Sequence, residues 1–158
     1  SVYTDPGTPE SIKRTASLWL GRIHYDSNEL DQALGFFEST VKFGGNVGAE
    51  SQFMISQILF DKAEYEKSEK NIFTLVSDYS SYDEWKFKGF LLLVRTYIGF
   101  DDLFQARATA ESILENVNEE WVQNACTDLM LEIETLEKGE PNGTDLIETG
   151  TLIDNDEK

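Results

Sequence analysis

Between Pro9 and Pro141 the chain contains no proline. Proline removes a backbone donor and clashes with the preceding helical turn, so so long a stretch without it leaves the α-helix open throughout. Apolar residues in this stretch recur at intervals of three and four, the period that returns side chains to one face of a helix. Short interruptions divide it: Asp26-Ser27-Asn28, Phe43-Gly44-Gly45-Asn46, Asp61-Lys62-Ala63, Asp78-Tyr79-Ser80-Ser81, Phe100-Asp101 and Asn116-Val117-Asn118. The pattern predicts an all-α chain of seven helices, each roughly 14 to 20 residues long. Thr8 is placed as the N-cap of the first, with Pro9 in its first turn.

Within this stretch three segments repeat one pattern. They are Leu30-Asp31-Gln32-Ala33-Leu34-Gly35-Phe36-Phe37, Tyr65-Glu66-Lys67-Ser68-Glu69-Lys70-Asn71-Ile72 and Leu103-Phe104-Gln105-Ala106-Arg107-Ala108-Thr109-Ala110. Each has a large apolar residue, a small residue three positions on, and an apolar residue four further. The small residues Ala33, Ser68 and Ala106 lie 35 and 38 residues apart. Each segment follows an amphipathic helix and a tight polar turn, so the unit is a helix pair. Small residues at Gly21, Ser56, Ala33, Ser68 and Ala106 allow close helix approach, with Phe37, Ile72 and Leu93 filling the gaps. One pair alone cannot bury its apolar face, so the pairs must stack. Trp121, Ala125, Leu129, Ile133 and Leu136 form a stripe on the last helix, expected to cover the third pair.

These segments resemble the tetratricopeptide repeat, a helix–turn–helix unit of about 34 residues. Leu20-Gly21, Asn28-Glu29-Leu30, Ala33 and Phe37 match its pattern best. Ile55-Ser56, Leu59, Ala63-Glu64-Tyr65, Ser68 and Ile72 form a looser second copy. Leu93-Val94, Tyr97, Asp101-Asp102-Leu103, Ala106 and Ala110 form a third. The resemblance covers residues 14–115 and implies a right-handed α-α superhelix of three pairs, about 9–43, 46–78 and 82–116. Residues 118–138 would be a C-terminal capping helix, closing a domain at 1–138. Uneven spacing, and the absence of the proline that often ends a repeat, mark the copies as divergent.

The same resemblance implies a scaffold for protein–protein interaction, without catalysis and without a cofactor. Its first helices would line a concave groove with Leu18-Arg22-Tyr25, Phe53-Gln57-Phe60 and Leu91-Arg95-Ile98, joined by Lys88. Arg22 and Arg95 would then meet an acidic side chain or a terminal carboxylate of a peptide or protein partner. Two alternatives stay open: the arginines neutralise nearby carboxylates and the aromatics are core, or the module stacks or self-associates with its groove filled by its own chain. The positions that bind a terminal carboxylate in chaperone-adaptor relatives hold Leu18, Arg22, Met54, Lys88 and Leu92. Only Lys88 agrees, which argues against that specialisation. Likeness to divergent bacterial repeat proteins favours the periplasm or cell envelope over the cytoplasm.

Charge narrows the partners. With 13 basic and 30 acidic residues the chain carries a net charge of −17, which repels phosphate backbones and anionic lipid head groups. Nucleic acid is therefore not expected. No apolar run approaches the roughly 18 residues that membrane insertion needs. Residues 139–158 hold six acidic residues and one lysine and read as a flexible acidic tail, with Gly139 as a helix cap. A tail folded over Arg22 and Arg95 would block the groove.

Catalytic signals are sparse. His24, the one histidine, stands where the family has a buried tyrosine and reads as core. Cys126, the one cysteine, falls among apolar helix positions and reads as a small buried hydrophobe. No His/Cys cluster has metal-ligand spacing, and Phe43-Gly44-Gly45-Asn46 lacks the lysine and strand of a phosphate loop. Asp101-Asp102 and Glu119-Glu120 lie near helix starts, where the dipole favours them.

Overall fold

A computed structural model describes residues 9–139. Those residues form seven α-helices and no strand: α1 (Glu10–Asp26), α2 (Leu30–Thr40), α3 (Gly45–Asp61), α4 (Tyr65–Asp78), α5 (Asp83–Gly99), α6 (Leu103–Asn116) and α7 (Glu120–Gly139). A single 3-10 turn, Val41–Phe43, extends α2, which at 11 residues is shorter than expected. Pro9 is itself the N-cap of α1, one place earlier than its expected first-turn position. Thr8 and the acidic segment 140–158 lie outside the described residues.

The turn inside each helix pair is built the same way three times. Asn28, Ala63 and Asp101 are the described non-glycine residues with positive φ, at 59°, 58° and 60°. They recur at the 35- and 38-residue spacing of Ala33, Ser68 and Ala106. In each turn the next residue's N–H reaches back to a carbonyl of the last helical turn: Glu29 to His24 at 2.8 Å, Glu64 to Leu59 at 2.8 Å, Asp102 to Tyr97 at 2.9 Å. The left-handed residues donate to Tyr25, Phe60 and Ile98, each at 2.8–2.9 Å. This is the Schellman arrangement, which satisfies carbonyls left open at a helix C-terminus. Asparagine and aspartate tolerate the left-handed region, but alanine does not. Ala63→Gly is therefore expected to raise the unfolding free energy by about 0.5–1 kcal/mol, measured as a shifted urea midpoint at constant slope.

The small residues do what their spacing requires. Ala33, Ser68 and Ala106 have no exposed surface, and a Cβ on Gly21 would sit 3.0 Å from the Phe37 ring. Each helix packs on the next, and α1 also meets α3, α3 meets α5, and α5 meets α7. The first helices thus form one continuous row. The second helices α2, α4 and α6 make no substantial contact with one another. Core clusters fill the spaces between: Leu18, Ala33, Phe37, Ile55, Ile58 and Leu59 in one; Ile72, Leu92 and Leu93 in the next. A third joins Leu91, Val94, Ala106 and Ala110 to α7.

The inward face of α7 is Val122, Cys126, Leu129 and Ile133. Leu129 and Ile133 belong to the expected stripe, but Trp121 and Leu136 are exposed. Adjacent apolar pairs, Trp121-Val122 and Ala125-Cys126, allow two stripes of the same period, and the face that fits α5 and α6 is the one rotated by a residue. Gly139 still belongs to α7 rather than capping it.

Candidate functional site

The row of first helices carries every expected groove residue, but not all of them face outward. Leu18 and Leu91 are buried in the first and third clusters. They hold helices together and leave the candidate surface. Tyr25, Phe53, Phe60 and Ile98 are half-buried, each packed against a cluster edge. Phe53 lies 5.8 Å from the Trp85 ring and Phe60 5.5 Å from Tyr65.

Arg22 is not available as a free cation. Its Nε and Nη2 donate to Oε1 and Oε2 of Glu50, each at 2.6 Å, across α1 and α3. The Glu50 side chain is only 6% exposed against 37% for Arg22, so the fork covers a buried carboxylate. The Arg22 guanidinium also lies 5.0 Å from the Trp19 ring. Neutralisation, the plainer of the two readings, describes Arg22.

Arg95 differs. It follows Gln57 by 38 residues, as Gln57 follows Arg22 by 35, so the three hold one place in successive helices. Arg95 is exposed, and among the described residues it has no ion-pair or hydrogen-bond partner. The other three arginines are engaged: Arg14 over Phe43, Arg22 as above, and Arg107 with Glu137 at 2.7 Å. Gln57 donates to Asp61 at 2.9 Å, and Asp61 also accepts from the Tyr25 hydroxyl at 2.8 Å. That carboxylate joins α1 to α3. Burial and Asp61 together push the Tyr25 hydroxyl well above the usual phenol range, so Tyr25 stays a donor at neutral pH. Lys88 pairs with Glu84 at 2.9 Å and sits 4.4 Å from the Trp85 ring. Trp85 in turn donates to Asn46 at 3.0 Å, tying α5 to α3.

The structure therefore brings Tyr25 and Gln57 onto one carboxylate and Arg22 onto another, but gives no contact joining Arg22 to Arg95. Sequence reasoning missed Glu50, Asp61 and Trp85. Glu50 precedes Lys88 by the same 38 residues, and that exchange of sign was the available signal.

Two shallow grooves lie on the other side, beside the second helices. One is lined by Gln52, Ile55, Lys67, Asn71 and Thr74, the other by Phe90, Leu93, Gln105, Thr109 and Ser112. The sets correspond at a spacing of 38 but differ in chemistry. In the first, Gln52 donates to Asn71 at 2.9 Å and Lys67 pairs with Glu64.

His24 is half-buried at the first turn rather than in the core. Its ring stacks on Phe36 at 5.3 Å and its Nδ1 meets Glu29. Cys126 is fully buried, its Sγ 3.3 Å from the Ala110 carbonyl, and burial pushes the thiol up. No group of three or more metal-ligating side chains occurs among the described residues. No described helix is long and apolar enough to cross a membrane. Compared with known proteins, the chain matches no protein-family model and no curated protein.

Proposed function

We propose that this chain is a tetratricopeptide-like interaction module. Its three helix pairs wind as a right-handed superhelix, α7 closes one end, and the row α1, α3, α5 holds an acidic peptide segment of a partner protein. The role is binding without catalysis or cofactor. The observation that carries it is Arg95, an exposed guanidinium with no partner among the described residues in a chain of net charge −17. Among so many carboxylates a guanidinium is readily neutralised internally, as Arg22 is. Arg95 stands on the same helix as Trp85 and as Lys88, which lies over the Trp85 ring and pairs with Glu84. Arginine and tryptophan dominate the residues that carry binding energy at interfaces. The threefold recurrence of the left-handed turn supports the repeat.

The test is selection of a random peptide library on the chain, followed by affinity measurement on the enriched peptides. Enriched peptides should carry Asp or Glu, and Arg95→Glu should weaken them by about tenfold or more, the equivalent of about 1.4 kcal/mol. Neutral peptides, or acidic ones that bind Arg95→Glu equally, would move the site elsewhere. No enrichment would overturn a peptide-binding role.

A further inference from the structure

The helices of the row share a starting point that can be matched bond by bond. The first helical hydrogen bond is accepted by Pro9 from Lys13, by Gly44 from Gly48, by Tyr82 from Lys86 and by Glu119 from Gln123, at 2.8–3.1 Å. These acceptors are 35, 38 and 37 residues apart, so α7 continues the row of α1, α3 and α5. Two places after each acceptor stand Ser11, Asn46, Glu84 and Trp121, all exposed. Asn46 and Glu84 stay exposed although their helices have neighbours on both sides. The open face of Trp121 is therefore a property of its place in the repeat, not of where the row stops. Three of the four residues are polar; the fourth is a large indole, 44% exposed.

Trp121 lines a cleft of about 390 Å³ at the start of α5 and α7, together with Phe87, Asp83, Glu84, Lys88 and Glu119. Its ring meets the Phe87 ring at 6.4 Å and 57°. The volume lies at the low end of the roughly 300–1,000 Å³ of small-ligand sites, room for a side chain but not for a helix. Three carboxylates against one ammonium give the lining a net negative charge.

The same end of α5 shows what such a lining attracts. Lys88 lies 4.4 Å from the centre of the Trp85 ring and 2.9 Å from Glu84. Lys86 lies 4.9 Å from the Phe87 ring and 2.8 Å from Asp83. Each is a set of ring, carboxylate and ammonium, in which the ring face and the anion attract one cation together. Trp121 and Glu119 supply the ring and the carboxylate once more. Among the described residues nothing completes this third set, since Glu119 has no ion pair and no cation lies over Trp121. The dipole of α7 accounts for a carboxylate at Glu119, but not for an exposed indole beside it. We infer that the cleft binds the cationic side chain of a basic partner segment, an arginine or a lysine, with its charge over Trp121 and paired to Glu119. Arg95 takes no part, so this site and the binding of an acidic segment stand or fall separately.

The three tryptophans, Trp19, Trp85 and Trp121, give three indole N–H signals in a proton–nitrogen correlation spectrum, which tests the site directly. The probes are Nα-acetyl-arginine amide and Nα-acetyl-lysine amide, with the neutral Nα-acetyl-glutamine amide as control. Both cations should shift the Trp121 signal saturably with a Kd of about 1–10 mM, the range of one exposed contact, and the control should not. Glu119→Gln should weaken binding about threefold. Glu132→Gln, which removes the same charge from an exposed place farther along α7, should leave it unchanged. Equal shifts at Trp19 and Trp85 would mean general attraction to an acidic chain and would overturn the proposal. So would binding indifferent to Glu119→Gln, an equal response to the glutamine amide, or no saturable shift.

Discussion

Arg22→Met should lower the unfolding free energy by about 2–4 kcal/mol. The guanidinium and methionine side chains cover similar apolar area, so the loss comes from Glu50. Its carboxylate is almost wholly buried and accepts both of its short hydrogen bonds from Arg22. Without that partner a charge is left out of water, the situation that makes breaking a buried pair cost about 3–5 kcal/mol. Partial exposure of Arg22 lets solvent relieve some of this. The double variant Arg22→Met/Glu50→Leu should recover most of the loss, since a buried ion pair contributes little over apolar residues of like volume. Equilibrium urea unfolding of all four proteins in a double-mutant cycle gives the coupling directly. Equal stability of Arg22→Met and the wild type would mean that water reaches Glu50.

The second large effect lies at Phe37. Its ring is fully buried between α1 and α2, and Gly21 is small enough to admit it. It also belongs to the cluster that reaches Ile55, Ile58 and Leu59 of α3. Phe37→Ala should cost about 3–5 kcal/mol through lost transfer energy and the cavity left behind. Phe104→Ala, at a ring 82% exposed, should stay within about 0.5 kcal/mol of wild type. Thermal and urea unfolding of the two variants side by side check the contrast. It matters because place in the repeat separates the two rings: Phe37 holds the apolar position shared with Ile72 and Ala110, whereas Phe104 stands where the other copies have Asp31 and Glu66.

That contrast shows where sequence was informative. Ala33, Ser68 and Ala106 declared the helix pairs because a small residue at a fixed place has one explanation, a close neighbour. The left-handed turn at Ala63 was invisible, since no glycine marks it and the hairpin imposes it. Arg22 was placed on the correct helix, but its partner lies 28 residues on, and charge content alone does not say which of 30 carboxylates will meet it. Leu18 and Leu91 sit at the margin of an apolar face, where a small rotation decides between groove and core. The same ambiguity moved the inward face of α7 from Trp121 to Val122. Arg95 was named as a candidate from its register, and its lack of a partner among the described residues emerged only from the assembled helices.

The helix lengths have a consequence for how such a chain can change. α1, α3 and α5 each run 17 residues, whereas α2 has 11 and α4 has 14. The whole difference between the 35- and 38-residue spacings therefore falls in the second helices and the links after them. Those helices are separated by grooves, so an added turn there meets open space, while a turn added to the first helices would break the register of the row. Insertions and deletions can thus accumulate on one side of the molecule, reshaping its outline over generations, while Arg22, Gln57 and Arg95 keep their places on the first helices.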